Sequence, residues 1–384
     1  MIKLLLISNR YPAHADDAAS PFVSDFVKGL NRHDIETTVL TPYHFSEKYD
    51  NTENIVRFKW GEENQTIGSL SKYSPLSWLK IANYLYRGNN TAQQLHQTNK
   101  FDFCLALWAA PSGIFARNLK KKYDLDYAVW CLGSDIHTYP KIPVIRGQII
   151  SVLKQAERIY SDGYELGERA SELCGKESFF LPSMRKVNYP PSKHEKREKL
   201  IVCPGRVEEA KGVYDLLEAF KIVSSEFPEW QLYFIGDGSA RSELENRIEK
   251  YGLSNRVKSL GFVPRENMYR AIVKSSAVVI PTHADSLPLT FGEAMQLNHP
   301  VIATDVGDLR YFIEKYQVGT VVPAQSPEKL AEALRLFITN GTPVKQRFDE
   351  CVNELNIDRA ADSFADWLIS YLSKDSVRRE SVAC

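Results

Sequence analysis

The stretch A-V-V-I-P-T-H-A-D-S-L-P-L-T-F-G-E-A, from Ala277 to Ala294, contains the two signals that decide the fold. Its first residues, Ala277 to Ile280, form a short apolar run that is typical of a buried parallel strand. A helix pattern starts at Phe291, so the residues between them form a strand-to-helix turn. Such turns direct backbone N–H groups and the positive end of a helix dipole toward one point, where an anion can bind.

Two carboxylates, Asp285 and Glu293, bracket this turn. A phosphate at the helix start and sugar hydroxyls bonded to the carboxylates would together make a nucleotide-sugar site. A second interpretation stays open, because Thr290-Phe291-Gly292-Glu293 also fits a capping box, in which Glu293 bonds the Thr290 N–H. Other parts of the sequence have to decide between them.

The bulk composition is that of a globular protein. At 384 residues the chain is long enough for about two domains. Lys and Arg number 48, as do Asp and Glu, so no global field favours nucleic acid. No apolar run reaches the ~20 residues of a membrane span, and the start predicts a first strand and not a signal peptide. Cysteines in apolar runs and the absence of C-x-x-C pairs predict a reduced, cytoplasmic protein.

Short apolar runs alternate with helix patterns along the chain, which predicts parallel β-α units. We therefore predict an α/β fold with two doubly wound Rossmann-like domains that face each other across a cleft. The predicted domains are residues 1–182 and 200–357. The segment between them, 183–199, is rich in prolines and charges and is interpreted as a solvated linker, with contact to an anionic membrane as the less favoured alternative. The predicted strands are Lys3–Ser8, Thr37–Thr41, Phe103–Leu107, Tyr127–Leu132, Arg158–Ser161, Ser178–Leu181, Leu200–Pro204, Gln231–Gly236, Val257–Gly261, Ala277–Pro281, Val301–Ala303 and Gly319–Val322.

Cations and glycines follow the strands of the second predicted domain. Arg206 and Lys211 lie on a loop after the Leu200 to Pro204 strand and suit a diphosphate, since Arg binds two oxygens and Lys adds a point charge. Gly236 and Gly238 follow the next strand, where glycine lets the backbone approach a ligand closely. Each feature alone also fits an ordinary solvated loop.

In combination, G-R-x-x-x-x-K-G, G-D-G, G-F-V and D-x7-E resemble the retaining glycosyltransferases of family 4, which have the GT-B fold. The resemblance implies that Arg206 and Lys211 hold the donor diphosphate, that Glu293 binds the ribose, and that the backbone near Phe262 and Val263 reads the base. It also implies that the N–H groups of Leu289, Thr290 and Phe291 cap the phosphate and sugar. Asp285 replaces the usual Glu facing the donor sugar. A C-terminal helix over 358–373 would cross back to the first domain.

The first half is similar to exopolysaccharide and lipopolysaccharide members of this family. The segments that carry this similarity are Leu107–Gly113 and Gly133–His137. Ser20 and Pro21 occupy the position of the family's acceptor-side glycine loop, but the sequence Ala19-Ser20-Pro21 has no glycine. Leu181-Pro182-Ser183-Met184 likewise departs from the usual Asn-Gly-Val turn.

Asp135 and His137 follow a predicted strand, and with the resemblance we assign them to the catalytic site. His137 can donate a hydrogen bond or shuttle a proton, whereas Asp135 is better suited to shaping the loop. Asp124-Leu125-Asp126 precedes a strand and is interpreted as a surface turn. No metal or other cofactor is therefore expected.

The helix pattern from Tyr73 to Arg87 is rich in aromatic residues. Trp78, Ile81, Ala82 and Leu85 share one face at helical spacing. This face fits docking at a membrane interface or packing on its own domain, and packing is the favoured interpretation because it explains most such patterns.

The predicted function is transfer of a sugar from a UDP-sugar to a glycan or lipid-linked glycan acceptor, a hexosyltransferase reaction with retention. A sugar-nucleotide epimerase and a non-catalytic nucleotide-sugar-binding subunit are the alternatives. The donor sugar, acceptor, linkage and oligomeric state are not predicted.

Overall fold

The computed structural model describes residues 1–12, 20–43, 54–61, 70, 74–190, 197–341 and 346–382, with side chains described as far as residue 374. The chain divides into two compact units. Unit 1 comprises Met1–Ser183 together with Ile357–Cys384, and unit 2 comprises Met184–Asn356.

Unit 1 contains a parallel sheet with the strand order β3-β2-β1-β4-β5-β6-β7. Its strands are β1 (Ile2–Ile7), β2 (Ile35–Pro42), β3 (Ile55–Phe58), β4 (Phe103–Leu107), β5 (Tyr127–Cys131), β6 (Arg158–Ser161) and β7 (Ser178–Phe180). The edge strand β3 was not predicted, because four residues without a clear apolar alternation give no periodic signal.

Helices cover both faces of this sheet. They are α1 (Pro21–Leu30), α2 (Pro75–Asn99), α3 (Ser112–Tyr123), α4 (Ser134–His137), α5 (Pro143–Gln155), α6 (Tyr164–Cys174) and α14 (Ile357–Val382). Successive side chains of β1 alternate between the faces, so Leu5 joins a core under α2, α3, α5 and α6, while Leu4 joins a core under α1 and α14. The C-terminal helix α14 thus completes the core of unit 1.

Unit 2 has a parallel sheet in the order β10-β9-β8-β11-β12-β13. Its strands are β8 (Leu200–Pro204), β9 (Gln231–Ile235), β10 (Val257–Ser259), β11 (Ala277–Ile280), β12 (Val301–Thr304) and β13 (Gly319–Val322). Its helices are α7 (Val213–Ser224), α8 (Arg241–Lys250), α9 (Arg265–Lys274), α10 (Leu289–Gln296), α11 (Leu309–Tyr316), α12 (Pro327–Asn340) and α13 (Phe348–Glu354).

Both strand orders confirm the predicted α/β class with two doubly wound, Rossmann-like sheets. In unit 2 the order reverses between β8 and β11, which are hydrogen-bonded neighbours although far apart in sequence. The loops that follow these two strands therefore meet at the carboxyl edge of the sheet, where ligands bind in open α/β sheets. β1 and β4 form the corresponding pair in unit 1.

The start of the predicted linker is not solvated. Met184 and Arg185 are 2% and 8% exposed and lie in unit 2. The Met184 side chain packs so closely on Gly292 that a Cβ at that glycine would overlap its sulfur. The high content of charge and proline in this segment concealed two residues that pack on α10. Residues 191–196 of the predicted linker lie outside the described part of the chain.

The aromatic face predicted for α2 divides into two parts. Leu85 packs against the core, but Trp78 is 47% exposed and Ala82 is exposed as well. The buried side of the helix consists instead of Ser77, Tyr84, Gly88, Ala92 and His96. The predicted core stripe is therefore wrong for Trp78 and Ala82. The side of α2 that packs on the core includes Ser77, Tyr84 and Gly88, and a Cβ on Gly88 would overlap the Phe115 ring.

Candidate donor site and the loops of unit 1

Lys211 and Asp285, predicted to face the diphosphate and the sugar, form an ion pair in unit 2. Lys211 Nζ lies 2.5 Å from Asp285 Oδ2, and about a quarter of each side chain is exposed. Lys211 ends a short 3-10 turn, Glu209–Lys211, after β8, and Asp285 lies in the loop after β11. An anionic ligand bound at this position would replace Asp285 as the ion-pair partner of Lys211.

Close backbone packing holds the two loops together. Gly212 has φ +69°, and a Cβ there would overlap the carbonyl oxygen of Pro281. The backbone N–H of His283 donates to the Ala210 carbonyl at 2.9 Å, and the ring Nε2 of His283 lies 2.7 Å from Asp215 Oδ2. The sequence analysis missed the pair of His283 and Asp215, because only the sheet order reveals that these loops are neighbours.

Arg206 has a different environment from Lys211. Its side chain is 68% exposed, and Nη1 lies 2.7 Å from Glu208 Oε1 on the same loop. Of the two cations predicted to bind one diphosphate, Lys211 is held by an ion pair to another loop, whereas Arg206 is exposed at the surface. Because exposed ion pairs are weak, the contact with Glu208 holds the Arg206 side chain only loosely.

Gly236 and Gly238 serve the packing of the loops after β8 and β9. A Cβ on Gly236, at φ +145°, would overlap the Gly205 carbonyl oxygen, and one on Gly238 would overlap that of Val207. Val207 N–H donates to Asp237 O at 3.0 Å. The structure thus shows these glycines in close contact with protein backbone, which was not foreseen when they were assigned to ligand approach.

The helix α10 starts at Leu289, with Pro288 as its N-cap residue and no side-chain cap. Thr290 is inside the helix, so the capping-box interpretation of Thr290 and Glu293 is wrong. The Phe291 N–H donates to Pro288 O at 2.9 Å. Of the three N–H groups assigned to the ligand, those of Leu289 and Thr290 are the candidates that remain.

Glu293 is 2% exposed and is bonded to two side chains of unit 2. Arg185 donates to its Oε1, and the Tyr269 hydroxyl lies 3.3 Å from the same oxygen. Gln296 fastens the Arg185 segment further: its Nε2 donates to Arg185 O at 2.9 Å, and its Oε1 accepts from Val187 N–H at 2.9 Å. Arg185 was missed because it lies in a stretch that resembles a linker.

The residues predicted to read the base follow β10. Phe262 is 70% exposed and Val263 is half-buried. Gly261, at φ +67°, precedes them and accepts the Gly236 N–H at 2.9 Å. An exposed aromatic ring beside this carboxyl edge is available for stacking with a planar ligand.

In unit 1, Asp135 has no exposed surface. Its Oδ2 accepts the Ala109 N–H at 2.8 Å and its Oδ1 the Leu132 N–H at 3.2 Å. Burial raises the pKa of this carboxyl to about 6, although these backbone donors counteract part of the rise. Asp135 therefore joins the loops after β4 and β5 and is no longer a candidate for direct contact with substrate.

His137 ends the short helix α4 and is half-buried. The strand that precedes α4, β5, is next to β4 in the sheet, and β4 is next to β1. The loops after β1 and β4 are joined by a hydrogen bond, in which Ser112 Oγ donates to Asn9 Oδ1 at 2.8 Å. Asn9 is a further polar residue at this carboxyl edge that the sequence analysis did not select.

Ser20 has φ +50° and ψ +54°, the left-handed conformation that glycine adopts most readily. Pro21 begins α1 and is buried. Ser20 therefore adopts a left-handed conformation although the loop has no glycine at this position. Ala19 lies outside the described residues.

Asp124 and Asp126 do not form a surface turn together. Asp124 is exposed, but Asp126 is 7% exposed and bonds Lys120 and the Tyr371 hydroxyl of α14, the latter at 2.9 Å. The interpretation of Asp126 as part of a surface turn was wrong, because its bond to Tyr371, 245 residues away in sequence, has no local signal. Among the described residues, no group of three or more His, Cys, Asp or Glu has a geometry that would hold a metal.

Comparison with known proteins matches the second half of the chain to a family. Residues 185–353 match the model of glycosyl transferases group 1. A proposed teichuronic acid biosynthesis glycosyltransferase of Bacillus subtilis (strain 168) is 24% identical over 366 residues, covering 88% of this chain and 89% of that protein. The alpha-D-kanosaminyltransferase of Streptomyces kanamyceticus is 31% identical over 139 residues, 36% of each chain.

Solved structures share the fold over nearly the whole chain. Anabaena HepE, solved with UDP and glucose, has a TM-score of 0.73 and 15% identity, covering 96% of this chain and 100% of that one. Sucrose-phosphate synthase of Thermosynechococcus elongatus has a TM-score of 0.67 and 16% identity, and covers 100% of both chains. The family match in unit 2 and this shared architecture together support a glycosyltransferase of the GT-B fold.

Proposed function

We propose that this protein is a retaining glycosyltransferase of family 4, a hexosyltransferase that moves a sugar from a UDP-sugar to a glycan or lipid-linked glycan. The observation that carries the proposal is the Lys211–Asp285 ion pair at the carboxyl edge of unit 2, within the part of the chain that matches glycosyl transferases group 1. HepE, which shares the fold, was solved with UDP and glucose, which favours UDP as the nucleotide.

In this mechanism the positive charge of unit 2 stabilises the leaving diphosphate. Lys211 exchanges Asp285 for a phosphate oxygen, Arg206 moves from Glu208 to the diphosphate, and the α10 start donates backbone N–H groups. Asp285, released from Lys211, accepts hydroxyls of the donor sugar. Fixed charges of this kind act most strongly on charge that develops in the transition state. No metal ion is needed in this proposal, so turnover is expected to survive EDTA.

The acceptor hydroxyl attacks the anomeric carbon on the face from which the diphosphate leaves and gives its proton to the departing phosphate oxygen, which retains the configuration. His137 is proposed as a substrate contact, and Asp135 as the residue that positions its loop through the Ala109 and Leu132 N–H groups. Glu293 is proposed to contact the ribose, with Arg185 fixing the orientation of its carboxylate.

The test is nucleotide release from a panel of UDP- and GDP-sugars. Lys211→Ala is expected to lower the release of nucleotide by roughly 100- to 1,000-fold, the usual loss when one transition-state donor is removed. Lys211→Arg keeps the charge, and Lys250→Ala, at an exposed lysine of α8, is the matched control. Thermal unfolding of each variant checks that the fold persists.

Wild-type turnover in Lys211→Ala would contradict the diphosphate assignment. Formation of a new nucleotide sugar without acceptor would identify an epimerase. No turnover, with UDP still raising the melting temperature, would favour a binding subunit.

A further inference from the structure

The loop that carries Asp285 is anchored at both of its ends. Thr304 Oγ1 donates to the Thr282 carbonyl at 2.5 Å, and the Asp308 N–H donates to the Ser286 carbonyl at 3.0 Å. Both donors belong to β12 or to the loop after it, on one side of β11 in the sheet. The loop that carries Lys211 follows β8, which is the neighbour of β11 on the other side.

Between these anchors, two side chains connect the loop to the residues that follow β8. Asp285 pairs with Lys211, with 2.5 Å between Oδ2 and Nζ. His283 Nε2 lies 2.7 Å from Asp215 Oδ2. Ala284, between them, has no side-chain group that forms hydrogen bonds. When a phosphate oxygen replaces Asp285 at Lys211, His283 therefore provides the side-chain connection that remains.

The bond between His283 and Asp215 is supported on both sides. Asp215 lies in the first turn of α7, where the helix dipole favours a carboxylate, and the next two residues, Leu216 and Leu217, are fully buried in the core of unit 2. A carboxylate oxygen only accepts, so His283 Nε2 carries a proton and donates it. The two side chains are 19% and 23% exposed, so the bond is partly shielded from water, which strengthens it.

We propose that His283 and Asp215 are positioning residues for the donor sugar. Their hydrogen bond holds the Asp285 carboxylate in place after a phosphate has replaced it at Lys211. Neither His283 nor Asp215 contacts the substrate in this proposal. The inference rests on the proposed function, in which Asp285 accepts hydroxyls of the donor sugar. A displacement of about 1 Å at such a group can lower the rate roughly 100-fold.

The two parts of the donor distinguish this role from general support of the fold. UDP alone uses the cations of the site and does not need Asp285, whereas turnover needs Asp285 at the sugar. Loss of the bond should therefore lower kcat/KM for the UDP-sugar and leave the affinity for UDP nearly unchanged. A general loosening of unit 2 would instead weaken UDP binding as well and lower the melting temperature.

The experiment measures nucleotide release from the donor that wild type uses, together with UDP affinity by calorimetry. His283→Leu and Asp215→Ala are each expected to lower kcat/KM roughly 10- to 100-fold. The double variant should be no worse than either single variant, because both changes remove the same bond. His283→Gln, whose amide can still donate to Asp215, should recover most of the activity.

The matched control is His33→Leu in unit 1. His33 Nε2 lies 2.7 Å from Asp362 Oδ1, so this variant removes a bond of the same kind and length away from the donor site. It should retain wild-type turnover. Circular dichroism and thermal unfolding verify that each variant is folded.

Three results would overturn the inference while the proposed function stands: wild-type kcat/KM in His283→Leu, a loss of UDP affinity in His283→Leu as large as its loss of turnover, or an equal loss of turnover in His33→Leu. A wild type that releases nucleotide from no donor of the panel would refute the proposed function itself, and the inference with it.

Discussion

Asp135 of unit 1 and Glu293 of unit 2 are both buried carboxylates, but they are stabilised differently. Glu293 is bonded to a guanidinium and a phenol, from Arg185 and Tyr269. Asp135 accepts backbone N–H groups from Ala109 and Leu132. Backbone dipoles offset less of the desolvation of a negative charge than a full positive charge does. We infer that the contribution of Asp135 to stability depends on pH, whereas the contribution of Glu293 depends on the presence of Arg185.

The largest effect is expected from breaking the ion pair of unit 2. Arg185→Met leaves the Glu293 charge buried without its cation, and loss of one partner of a buried pair costs about 3–5 kcal/mol. Urea unfolding, with hydrogen exchange resolved by peptide, should show this loss in unit 2. The double variant Arg185→Met/Glu293→Gln removes both charges and should recover at least half of it. Equal stability of Arg185→Met and wild type would contradict the assignment of a buried pair.

A smaller effect is expected from Asp135. Its folded-state pKa of about 6 exceeds the ordinary value of 3.8, so the folded state binds the proton more tightly. The stabilisation is present at low pH and is lost as pH rises through 6. Between pH 4 and 7 the free energy of unfolding of wild type should fall by roughly 2.5 kcal/mol relative to Asp135→Asn.

Hydrogen exchange of unit 1 peptides at several pH values measures this difference. Asp34→Asn, at a side chain that is 79% exposed, is the control and should show no such trend. A pH profile shared by wild type and Asp135→Asn would mean that another group accounts for the dependence.

The smallest change in stability should come from His299. Its pH dependence has the opposite sign to that of Asp135, because the pKa of His299 is lowered in the folded state and that of Asp135 is raised. His299 is 2% exposed, and neither ring nitrogen has a hydrogen-bond partner among the described residues. Burial, assisted by the nearby Arg197 charge, lowers its pKa to about 3. The unfolded chain therefore binds the proton first, and stability is lost as pH falls below about 6.5.

From pH 6.5 to 5 this loss should be roughly 1.5 kcal/mol in unit 2, and His299→Phe should remove most of it. Peptides of unit 1 should not share the response. If both units lost protection equally on acidification in wild type and in His299→Phe, a general charge effect would be the cause.

The sequence predicted the strands of both sheets except the edge strand β3, with small errors in the bounds of several others. The bounds of β4, β6, β8 and β13 agree with the prediction. For β4 and β8 the reason is that a buried parallel strand is a continuous apolar run whose ends are visible locally. The positions of Lys211 and Asp285 on strand-to-helix turns, and of Glu293 in the helix that follows, came from the same pattern. Their partners did not follow, because Arg185 and Tyr269 carry no local signal.

By itself, the sequence determined the alternation of strands and helices and the placing of charged residues at the carboxyl ends of strands. These features depend on periodicity over a few neighbouring residues. Only the tertiary structure decided that Lys211 pairs with Asp285, that Arg185 pairs with Glu293 and that Asp135 is buried. Those pairings depend on which strands are neighbours and on which loops share a sheet edge, and both are set by the packing of the whole unit.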